Sequence, residues 1–449
     1  MIQLCVASTL YGVATLAAAI DAGQLGTPAR RVLLVSNNAL HPESQPGPQE
    51  QPGFAALARR FHAVESWNTT IAPFHPGQWR PQPADAPLWE RLLRSTWGLG
   101  DQPLELVLES IQAPPATALA AVFAESPVTI YSDGLMVYGP TRTPLLPQVS
   151  ERLAGLLYVE LIPGLQPLLA SEYGIPSTPI EDAAIIAALA EASEATRLDP
   201  GLPTGGALIV GQYLTALGLT TADQERQLYT DLVGDAVALG HRTVVFKPHP
   251  TAPQTWSRDL ADAARAAGAD LTVLTTPALA EAVILRQRPD AVLGCFSTAL
   301  LTASTLYRTP VAHRGTDLVL DQLVPYPNSN RIPAVLVQAL VADLARGEAP
   351  RPALPSGAAE QWLQRLVQTV GYCMQPRLDD LREIAVRELR EHPQRYARVV
   401  PQQRLLRLAL PGAAVDLGFA VANPRVRRAA RRTLELSAAV RRRLARLVG

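Results

Sequence analysis

The sequence predicts an α/β protein built from two doubly wound domains. First, a chain of 449 residues is too long for one ordinary hydrophobic core, since domains average roughly 150 residues. Second, short apolar segments alternate with helix-length segments in both halves, which is typical of parallel sheets covered by helices. Third, a proline-rich segment at 146–205 separates the halves and shows no clear strand. We therefore expect two domains joined by this crossover.

The first alternation occupies residues 1–145, which we predict to be an N-terminal domain. The apolar segment 2–8 is followed by a helix-like segment at 11–22 and by a fully buried type of strand at 31–37, and these form a βαβ unit. The pattern continues to a strand at 128–131. The other elements predicted in this half are helices at 54–61, 87–96 and 114–125 and a strand at 104–111.

The second alternation, in residues 206–335, is more regular and predicts a second doubly wound domain. It begins with a strand at 207–211 and ends with a strand at 310–313. Beyond it we expect C-terminal helices over 336–410 and a basic tail over 411–449. The remaining predicted elements are strands at 243–247, 271–275 and 290–296 and helices at 222–238, 255–267, 278–287, 298–307, 334–347 and 357–410.

Composition excludes several classes of protein. Hydrophobic residues make up 48% of the chain and charged residues 18%, which argues against intrinsic disorder. Cys5, Cys295 and Cys373 lie far apart without a CxxC pair, so we expect small buried residues rather than disulfides or a zinc site. No apolar run reaches the roughly 18 residues of a membrane span, and the N-terminus lacks the basic flank of a signal peptide. We therefore expect a cytoplasmic protein.

Charge is distributed unevenly, although the formal net charge is zero. Residues 424–449 contain nine arginines against Glu435 alone, with apolar residues between them at helical spacing. A basic amphipathic helix of this kind predicts peripheral contact with the anionic inner face of a membrane. A solvated terminal helix is the alternative. The strip is terminal and has no interleaved aromatic residues, so no nucleic-acid partner is predicted.

Lys247 is the only lysine of the chain. The strand 243–247 delivers Lys247, Pro248, His249 and Pro250 to the carboxyl edge of the predicted sheet, and the two prolines stiffen the turn. A lysine point charge and an imidazole at such an edge suit a phosphate, with His249 as a hydrogen-bond donor or an acid. The alternative is a histidine that satisfies a local carbonyl, but the single lysine two residues earlier favours the phosphate site.

Two hydroxyl residues, Ser297 and Thr298, follow the strand at 290–296, where a helix begins. Free backbone N–H groups and the positive end of a helix dipole bind anions. Simple N-capping is the alternative. Because the strands that end at 247 and 296 belong to one predicted domain, we expect both segments to converge on the same phosphate.

Asp133 and Gly134 follow the strand at 128–131 of the first domain. Ligands of open parallel sheets lie beyond the carboxyl ends of the strands, so Asp133 is a candidate general base for an attacking hydroxyl. A tight Asp-Gly turn is the alternative. The chain has no Asp-x-Asp and no His/Asp/Glu group at ligand spacing, so we expect neither a metal nor another cofactor.

The order of an acid-Gly turn, a His-Pro segment and a Ser-Thr pair resembles the bacterial sialyltransferases, and most closely their α-2,8-polysialyltransferase-like group. The resemblance extends over roughly residues 1–335. It implies the GT-B fold, in which two Rossmann-like doubly wound domains face each other across a cleft. It also implies an inverting, metal-independent transfer of sialic acid, or a related nonulosonate, from a CMP-activated donor to a glycan.

The resemblance also assigns roles to individual residues. Asp133 matches the second acid of an acid-acid-Gly motif, the general base. His249 matches the histidine that contacts and can protonate the CMP phosphate, beside Lys247 and Pro250 in the donor-binding segment. Ser297 and Thr298 match the hydroxyl pair that binds the same phosphate. Ser132 departs from the pattern, because it stands where the family has its first acid.

Two further pairs of residues are weaker candidates for donor or acceptor contacts. Asn330 and Arg331 lie in a loop after the last predicted strand, where they could hold a sialic acid carboxylate or a ribose. An ordinary polar loop is an equally good interpretation. Ser8 and Thr9 follow the first strand and could approach the donor from the other domain.

Two rival functions remain open. CDP-glycerol glycerophosphotransferases also have a Lys-Pro-His-Pro-like segment and also release CMP, but their second motif usually reads Thr-Asp-Tyr-Ser-Ser. Residues 294–298 read Gly-Cys-Phe-Ser-Thr and lack that aspartate, and the Asp-Gly turn favours sialyl transfer. The second rival is a non-catalytic nucleotide- or glycan-binding protein that has kept the fold.

Overall fold

The computed structural model describes residues 1–199, 201–249, 256–353 and 361–413. In these ranges the strands form two sheets in which every pair of neighbouring strands is parallel. Helices connect most consecutive strands, as is usual for parallel pairing, and a loop with a short 3-10 turn connects β6 (Leu153–Val159) to β7 (Ser177–Ile180). The two-domain α/β class predicted from the sequence, with the GT-B arrangement of two facing parallel sheets, is confirmed.

The first sheet has seven strands in the order β3-β2-β1-β4-β5-β6-β7. Every residue of its central strand β1 is buried, as expected for an apolar strand covered on both faces. The strands are β1 (Ile2–Ala7), β2 (Arg30–Val35), β3 (Ala63–Ser66), β4 (Leu104–Glu109), β5 (Val128–Ser132), β6 (Leu153–Val159) and β7 (Ser177–Ile180). The helices of this half are α1 (Leu10–Asp21), α2 (Phe54–Ala58), α3 (Trp67–Ile71), α4 (Ala86–Thr96), α5 (Ala116–Val122), α6 (Pro147–Ser150) and α7 (Asp182–Glu194).

The second sheet has six strands in the order β10-β9-β8-β11-β12-β13. The strands are β8 (Ala207–Val210), β9 (Thr243–Lys247), β10 (Asp270–Val273), β11 (Ala291–Gly294), β12 (Val311–His313) and β13 (Ala342–Asp343). The helices are α8 (Ala222–Ala238), α9 (Trp256–Ala266), α10 (Ala280–Gln287), α11 (Thr298–Tyr307), α12 (Thr316–Gln322), α13 (Arg331–Leu340), α14 (Gln361–Met374), α15 (Arg382–Glu391), α16 (Pro393–Tyr396) and α17 (Gln402–Arg407).

Both sheets reverse strand order at the same relative position, between β1 and β4 in the first and between β8 and β11 in the second. In open α/β sheets such switch points form the crevice where ligands bind. A ligand site is therefore expected at the carboxyl edges of the sheets, around the loops after these four strands.

The expectation that residues 146–205 lack strands was wrong, because this segment supplies β6 and β7 to the first sheet. The edge strand β7 reads Ser-Thr-Pro-Ile and is largely exposed, so it carries no apolar signal. The edge strand β3 was missed for the same reason. At the other end of the chain, the helix predicted at 334–347 stops at Leu340 and gives way to β13.

Helix α7 joins the two halves. It packs against α1 of the first half and against α10 of the second. Its buried side chains are small or aliphatic, as in Ile185, Ala188, Leu189 and Ala192, so the neighbouring helices approach closely. Helix α7 therefore lies between the two halves, and its packing helps to hold one sheet relative to the other.

The three cysteines are buried free thiols, as the sequence predicted. Burial raises the pKa of Cys5 to about 12, so this thiol is unreactive at neutral pH. In the described ranges, no helix is long and apolar enough to cross a membrane. Residues 424–449, for which a basic amphipathic helix was predicted, lie outside the described residues.

Candidate active site

A cleft of about 330 Å³ lies between the carboxyl edges of the two sheets. Its walls come from loops after β1, β4 and β5 and from the starts of α10 and α11. The first half contributes Thr9, Glu109 and Asp133, and the second contributes Glu281, Thr298 and Ser329. Position between two domains at strand switch points is typical of ligand sites in α/β proteins.

Asp133 follows β5 directly and lines this cleft. The neighbouring Tyr131 fixes the end of the strand, since its hydroxyl donates to the carbonyl of Val6 at 2.8 Å. Burial raises the pKa of the Asp133 carboxyl, and hydrogen bonds from its own backbone and from the Thr9 side chain oppose that rise. A carboxylate with a raised pKa is a stronger base than one in water.

Glu109 is a second carboxyl in the cleft, and the sequence analysis missed it. It is the last residue of β4 and pairs in register with Tyr131 of β5. Its Oε2 accepts the backbone N–H of Ser8 at 2.7 Å. Burial, and then the charge of Asp133, raise the pKa of Glu109 to about 7, while the bonds from Ser8 lower it. Glu109 thus titrates near neutral pH.

The Asp-Gly turn of the first half contacts the Ser-Thr pair of the second. A Cβ atom on Gly134 would lie 3.4 Å from Oγ1 of Thr298. Ser297 is the N-cap of α11, and its Oγ accepts the backbone N–H of Ala299 at 3.3 Å. The structure therefore brings Asp133 and the start of α11 into one cleft.

Lys247 ends β9, and its carbonyl accepts the N–H of Gly211 at 2.8 Å. Burial lowers the pKa of the Lys247 ammonium, and the charge of Glu281 opposes this. Part of His249 faces solvent, yet the surrounding protein still desolvates its imidazole and lowers its pKa, and the charge of Lys247 lowers it further. Neither side chain is part of the wall of the 330 Å³ cavity, and Pro250 lies outside the described residues.

Glu281 is a second residue that the sequence analysis missed. It lies in the first turn of α10 and is only 4% exposed. Burial raises its pKa, the charge of Lys247 lowers it, and the charge of Asp133 raises it. The pKa of Glu281 therefore depends on charges from both halves, Asp133 of the first and Lys247 of the second. An acid in the first turn of a helix is common because it interacts favourably with the helix dipole, so nothing in the sequence marked this position.

Thr9 reaches the cleft, whereas Ser8 is not part of its wall, and the donor or acceptor contacts predicted for both residues stay a prediction. Ser8 holds Glu109. Thr9 lines the cavity and is the N-cap of α1, since its Oγ1 accepts the N–H of Gly12 at 2.9 Å. Both residues therefore position acidic side chains at the strand ends.

Arg331 is not brought to the cleft. It is 2% exposed, and its guanidinium donates to the carbonyls of Tyr326 at 2.8 Å and Leu323 at 2.6 Å. The same group stacks 3.9 Å from the centre of the Tyr326 ring. Through these contacts the guanidinium holds the loop before α13 in place. Asn330 precedes that helix and is half-buried outside the cavity wall, which Ser329 reaches instead.

No group of three or more His, Cys, Asp or Glu residues within the four described ranges is arranged to hold a metal ion. The carboxyl groups of the cleft interact electrostatically, since the charge of Asp133 raises the pKa of both Glu109 and Glu281.

A family model for alpha-2,8-polysialyltransferase (POLYST) matches residues 3–316. The chain belongs to the alpha-2,8-polysialyltransferase family. The match includes Asp133, the segment after β9 and the start of α11, and it ends before Arg331. As a member of this family, the protein is a sialyltransferase-type glycosyltransferase that uses a nucleotide-sugar donor and a glycan acceptor.

Several solved glycosyltransferase structures resemble the polysialyltransferase-family chain distantly. The GT-B domain of a sialyltransferase from Photobacterium damselae has 11% identity and a TM-score of 0.40, and the alignment covers 75% of this chain and 96% of that one. UGT2 from Phytolacca americana, complexed with UDP-2fluoro-glucose and pterostilbene, has 13% identity and a TM-score of 0.42, with 91% and 99% covered. The E. coli heptosyltransferase WaaC with ADP has 18% identity and a TM-score of 0.36, with 70% and 87% covered. No curated protein sequence matches the chain.

Proposed function

We propose that the protein transfers a sialic acid, or a related nonulosonate, from a CMP-activated donor to a glycan hydroxyl, with inversion and without a metal ion. The observation that carries this proposal is the approach of the Asp133-Gly134 turn to Thr298 across the cleft. This approach places a buried carboxylate near a helix N-terminus that carries two hydroxyl residues. Such a pair suits the transfer of a sugar away from a phosphate.

The second domain, whose sheet runs from β8 to β13 and so extends beyond the predicted boundary at residue 335, binds the donor in this proposal. The N-terminus of the ten-residue helix α11 offers backbone N–H groups, the hydroxyls of Ser297 and Thr298, and the positive end of the helix dipole to the phosphate of CMP. Lys247 adds a positive charge from the neighbouring part of the sheet. These groups stabilise the negative charge that develops on CMP as it leaves.

The first domain, which contains the seven-stranded sheet and therefore extends beyond the predicted boundary at residue 145, binds the acceptor, and Asp133 is the general base. Asp133 takes the proton of the acceptor hydroxyl as the acceptor oxygen bonds to the anomeric carbon of the donor. The bond between that carbon and the phosphate oxygen breaks on the opposite side, and its electron pair leaves with CMP. Burial supports this role, because it raises the proton affinity of the Asp133 carboxylate.

His249 supports departure of CMP from the donor side. Burial and the charge of Lys247 lower the pKa of its imidazole, so the neutral ring predominates at pH 7. The neutral ring donates one N–H to a phosphate oxygen, and the protonated fraction is a stronger acid than an ordinary imidazolium.

A donor comparison tests the reaction. The full-length protein is incubated with CMP-Neu5Ac, CMP-Kdo or CDP-glycerol and an oligosaccharide acceptor, with and without EDTA. CMP release and glycan mass are then measured. We expect release and a heavier glycan with a CMP-nonulosonate, unchanged by EDTA. Turnover of CDP-glycerol alone would establish the glycerophosphotransferase alternative and overturn the proposal.

The Asp133→Asn variant separates catalysis from binding. We expect CMP affinity within about threefold of the wild type and a transfer rate lower by at least about a thousandfold, the upper part of the usual range for loss of a general base. A wild-type protein that binds CMP but turns over no donor would instead support the non-catalytic binding protein.

We also infer from composition that residues 424–449 bring the enzyme to an anionic membrane surface. Co-sedimentation of the full chain with phosphatidylglycerol vesicles tests this, and neutral phosphatidylcholine vesicles are the control. Equal binding to both vesicle types, or to neither, would contradict the inference.

A further inference from the structure

Arg142 lines the cleft on the side of the first half. It lies between β5 and α6, beyond the Asp133-Gly134 turn. Of the described residues that line this cavity, Arg142 alone carries a positive charge, since the other charged ones are the acids Glu109, Asp133 and Glu281. The wall therefore offers an anion one favourable position.

Hydrogen bonds fix the backbone of Arg142 on both sides. Its N–H donates to Oε1 of Gln112 at 2.6 Å, and its carbonyl accepts Nε2 of Gln375 at 2.8 Å. Gln112 comes from the loop after β4 and also lines the cavity, whereas Gln375 directly follows α14 and is 9% exposed. The Arg142 side chain therefore extends from a backbone that is held in place by two separate elements.

The Arg142 guanidinium has no partner in the described part of the chain. No carboxylate of the described ranges lies within 4.0 Å of it, and both hydrogen bonds of the residue belong to its backbone. Arg142 is half-buried, and burial lowers the pKa of its guanidinium. A partly desolvated charge without a counter-ion is unfavourable, so an anion bound in the cavity would supply the missing interaction.

Arg152 in the same half shows the contrast. Burial lowers the pKa of this arginine too, but its guanidinium donates to the backbone carbonyls of Ala120 at 2.7 Å and Phe123 at 3.0 Å. Arg152 therefore stabilises the fold through its side chain. No such contact accounts for the Arg142 guanidinium among the described residues.

We propose that Arg142 binds a carboxylate of the acceptor and thereby selects an acidic sugar over a neutral one. This inference rests on the proposed function for the place of the acceptor, and it adds the charge that the acceptor carries. A guanidinium binds a carboxylate through two parallel hydrogen bonds. A cavity of about 330 Å³ is at the small end of the range of ligand pockets, so one end of a glycan can contact both Arg142 and Asp133. The ion pair then orients the sugar so that its hydroxyl faces the base.

The test compares an acidic acceptor with its uncharged derivative in the absence of a donor. Sialyllactose and its carboxyl methyl ester are titrated into the full-length protein, and the dissociation constants are measured by NMR. We expect the wild type to bind the acid about tenfold to a hundredfold more tightly than the ester, as for a hydrogen bond between charged groups. In Arg142→Met the two ligands should bind with equal affinity.

Three further measurements distinguish a binding role from a structural one. Arg142→Lys keeps the charge without the planar fork and should retain part of the preference for the acid. Arg91→Met is the matched control, because Arg91 is exposed on α4 of the same half and should leave the preference unchanged. Arg142→Met should unfold at the temperature of the wild type or above it, because the substitution removes a partly desolvated charge and no contact.

Equal binding of sialyllactose and its methyl ester by the wild type would overturn the inference, as would an Arg142→Met variant that weakens both ligands equally. A loss of affinity for CMP-Neu5Ac in Arg142→Met, with the preference for the acidic acceptor unchanged, would also overturn it, because the carboxylate bound would then belong to the donor. A protein that shows the expected preference yet releases CMP from no donor would support this inference and contradict the proposed reaction.

Discussion

Gly134 faces Thr298 across the cleft, at a distance where a Cβ atom would be in ordinary van der Waals contact with Oγ1, 3.4 Å away. Gly134 has φ −150° and ψ −175°, an extended conformation that any residue adopts. Glycine is therefore not required at this position by the backbone conformation. Its lack of a side chain leaves room for Thr298. The two halves of the site therefore approach each other closely at this position.

Substitution of Gly134 should affect the reaction in proportion to side-chain size. In Gly134→Ala the added methyl group fits, so we expect kcat/KM within about threefold of the wild type. In Gly134→Leu the side chain must displace Thr298, and we expect a loss of about a hundredfold from the altered cleft. Steady-state kinetics and thermal unfolding measure both effects. A Gly134→Leu enzyme of normal activity would show that the cleft is wider in solution.

Ser297 and Thr298 should differ in their effects on stability. Ser297 caps α11, so Ser297→Ala should lose about 1 kcal/mol of unfolding free energy as well as affinity for CMP. Thr298→Val keeps its shape and should lose about tenfold in affinity, the size of one hydrogen bond to a charged group, with little change in stability. Calorimetric CMP binding and denaturant unfolding test this.

The control for that comparison is Ser66→Ala, which removes the N-cap of α3 in the first half. It should lower stability without changing CMP affinity. Retention of wild-type CMP affinity in both Ser297→Ala and Thr298→Val would exclude a phosphate at the start of α11.

Lys247 should control the ionisation of His249. Its charge lowers the pKa of the imidazole, so Lys247→Met should raise the NMR titration midpoint of His249, whereas Lys247→Arg should keep it low. A lowered pKa means that the unfolded chain binds more protons than the folded one. Unfolding free energy should therefore fall as pH drops below about 6.5, and less steeply in Lys247→Met. Equal midpoints in the wild type and Lys247→Met would contradict the coupling.

Arg331 should behave as a structural residue. Arg331→Met leaves two buried carbonyls without a donor, and we expect a loss of about 3 kcal/mol in unfolding free energy with an unchanged donor KM in the folded enzyme. Arg398→Met is the control, because Arg398 is 57% exposed in its ion pair with Asp317 and should cost less than about 1 kcal/mol. A raised donor KM without loss of stability would restore the ligand role predicted from the sequence.

The sequence was informative where one strand ends in an unusual residue. Asp133 and Thr298 each follow an apolar strand, and the rule for parallel sheets brings such residues to one edge. Lys247 stood out because no other lysine exists in the chain. The placement of Asp133 and Thr298 in one cleft was therefore predictable without knowing which strands are neighbours, whereas Lys247 lies outside the wall of that cavity.

Glu109 was not predictable in this way. It ends the strand Leu-Glu-Leu-Val-Leu-Glu, where an alternating glutamate indicates a solvent-facing position. Only the pairing of β4 with both β1 and β5 shows that its carboxyl accepts a hydrogen bond from Ser8 and lines the same cavity as Asp133. For Arg331 the error was the opposite one. An arginine in a loop suggested a ligand contact, but its guanidinium donates to the backbone carbonyls of Tyr326 and Leu323.

Helix α7 belongs to the first half by sequence, yet it covers α10 of the second half as well as α1. A chain divided after α7 would leave α10 without its apolar cover and α7 with a bare flank. Two fragments made this way should be poorly soluble apart and should recover transfer only when mixed, as split enzymes do. Helix α7 thus makes the folding of each half depend on the presence of the other.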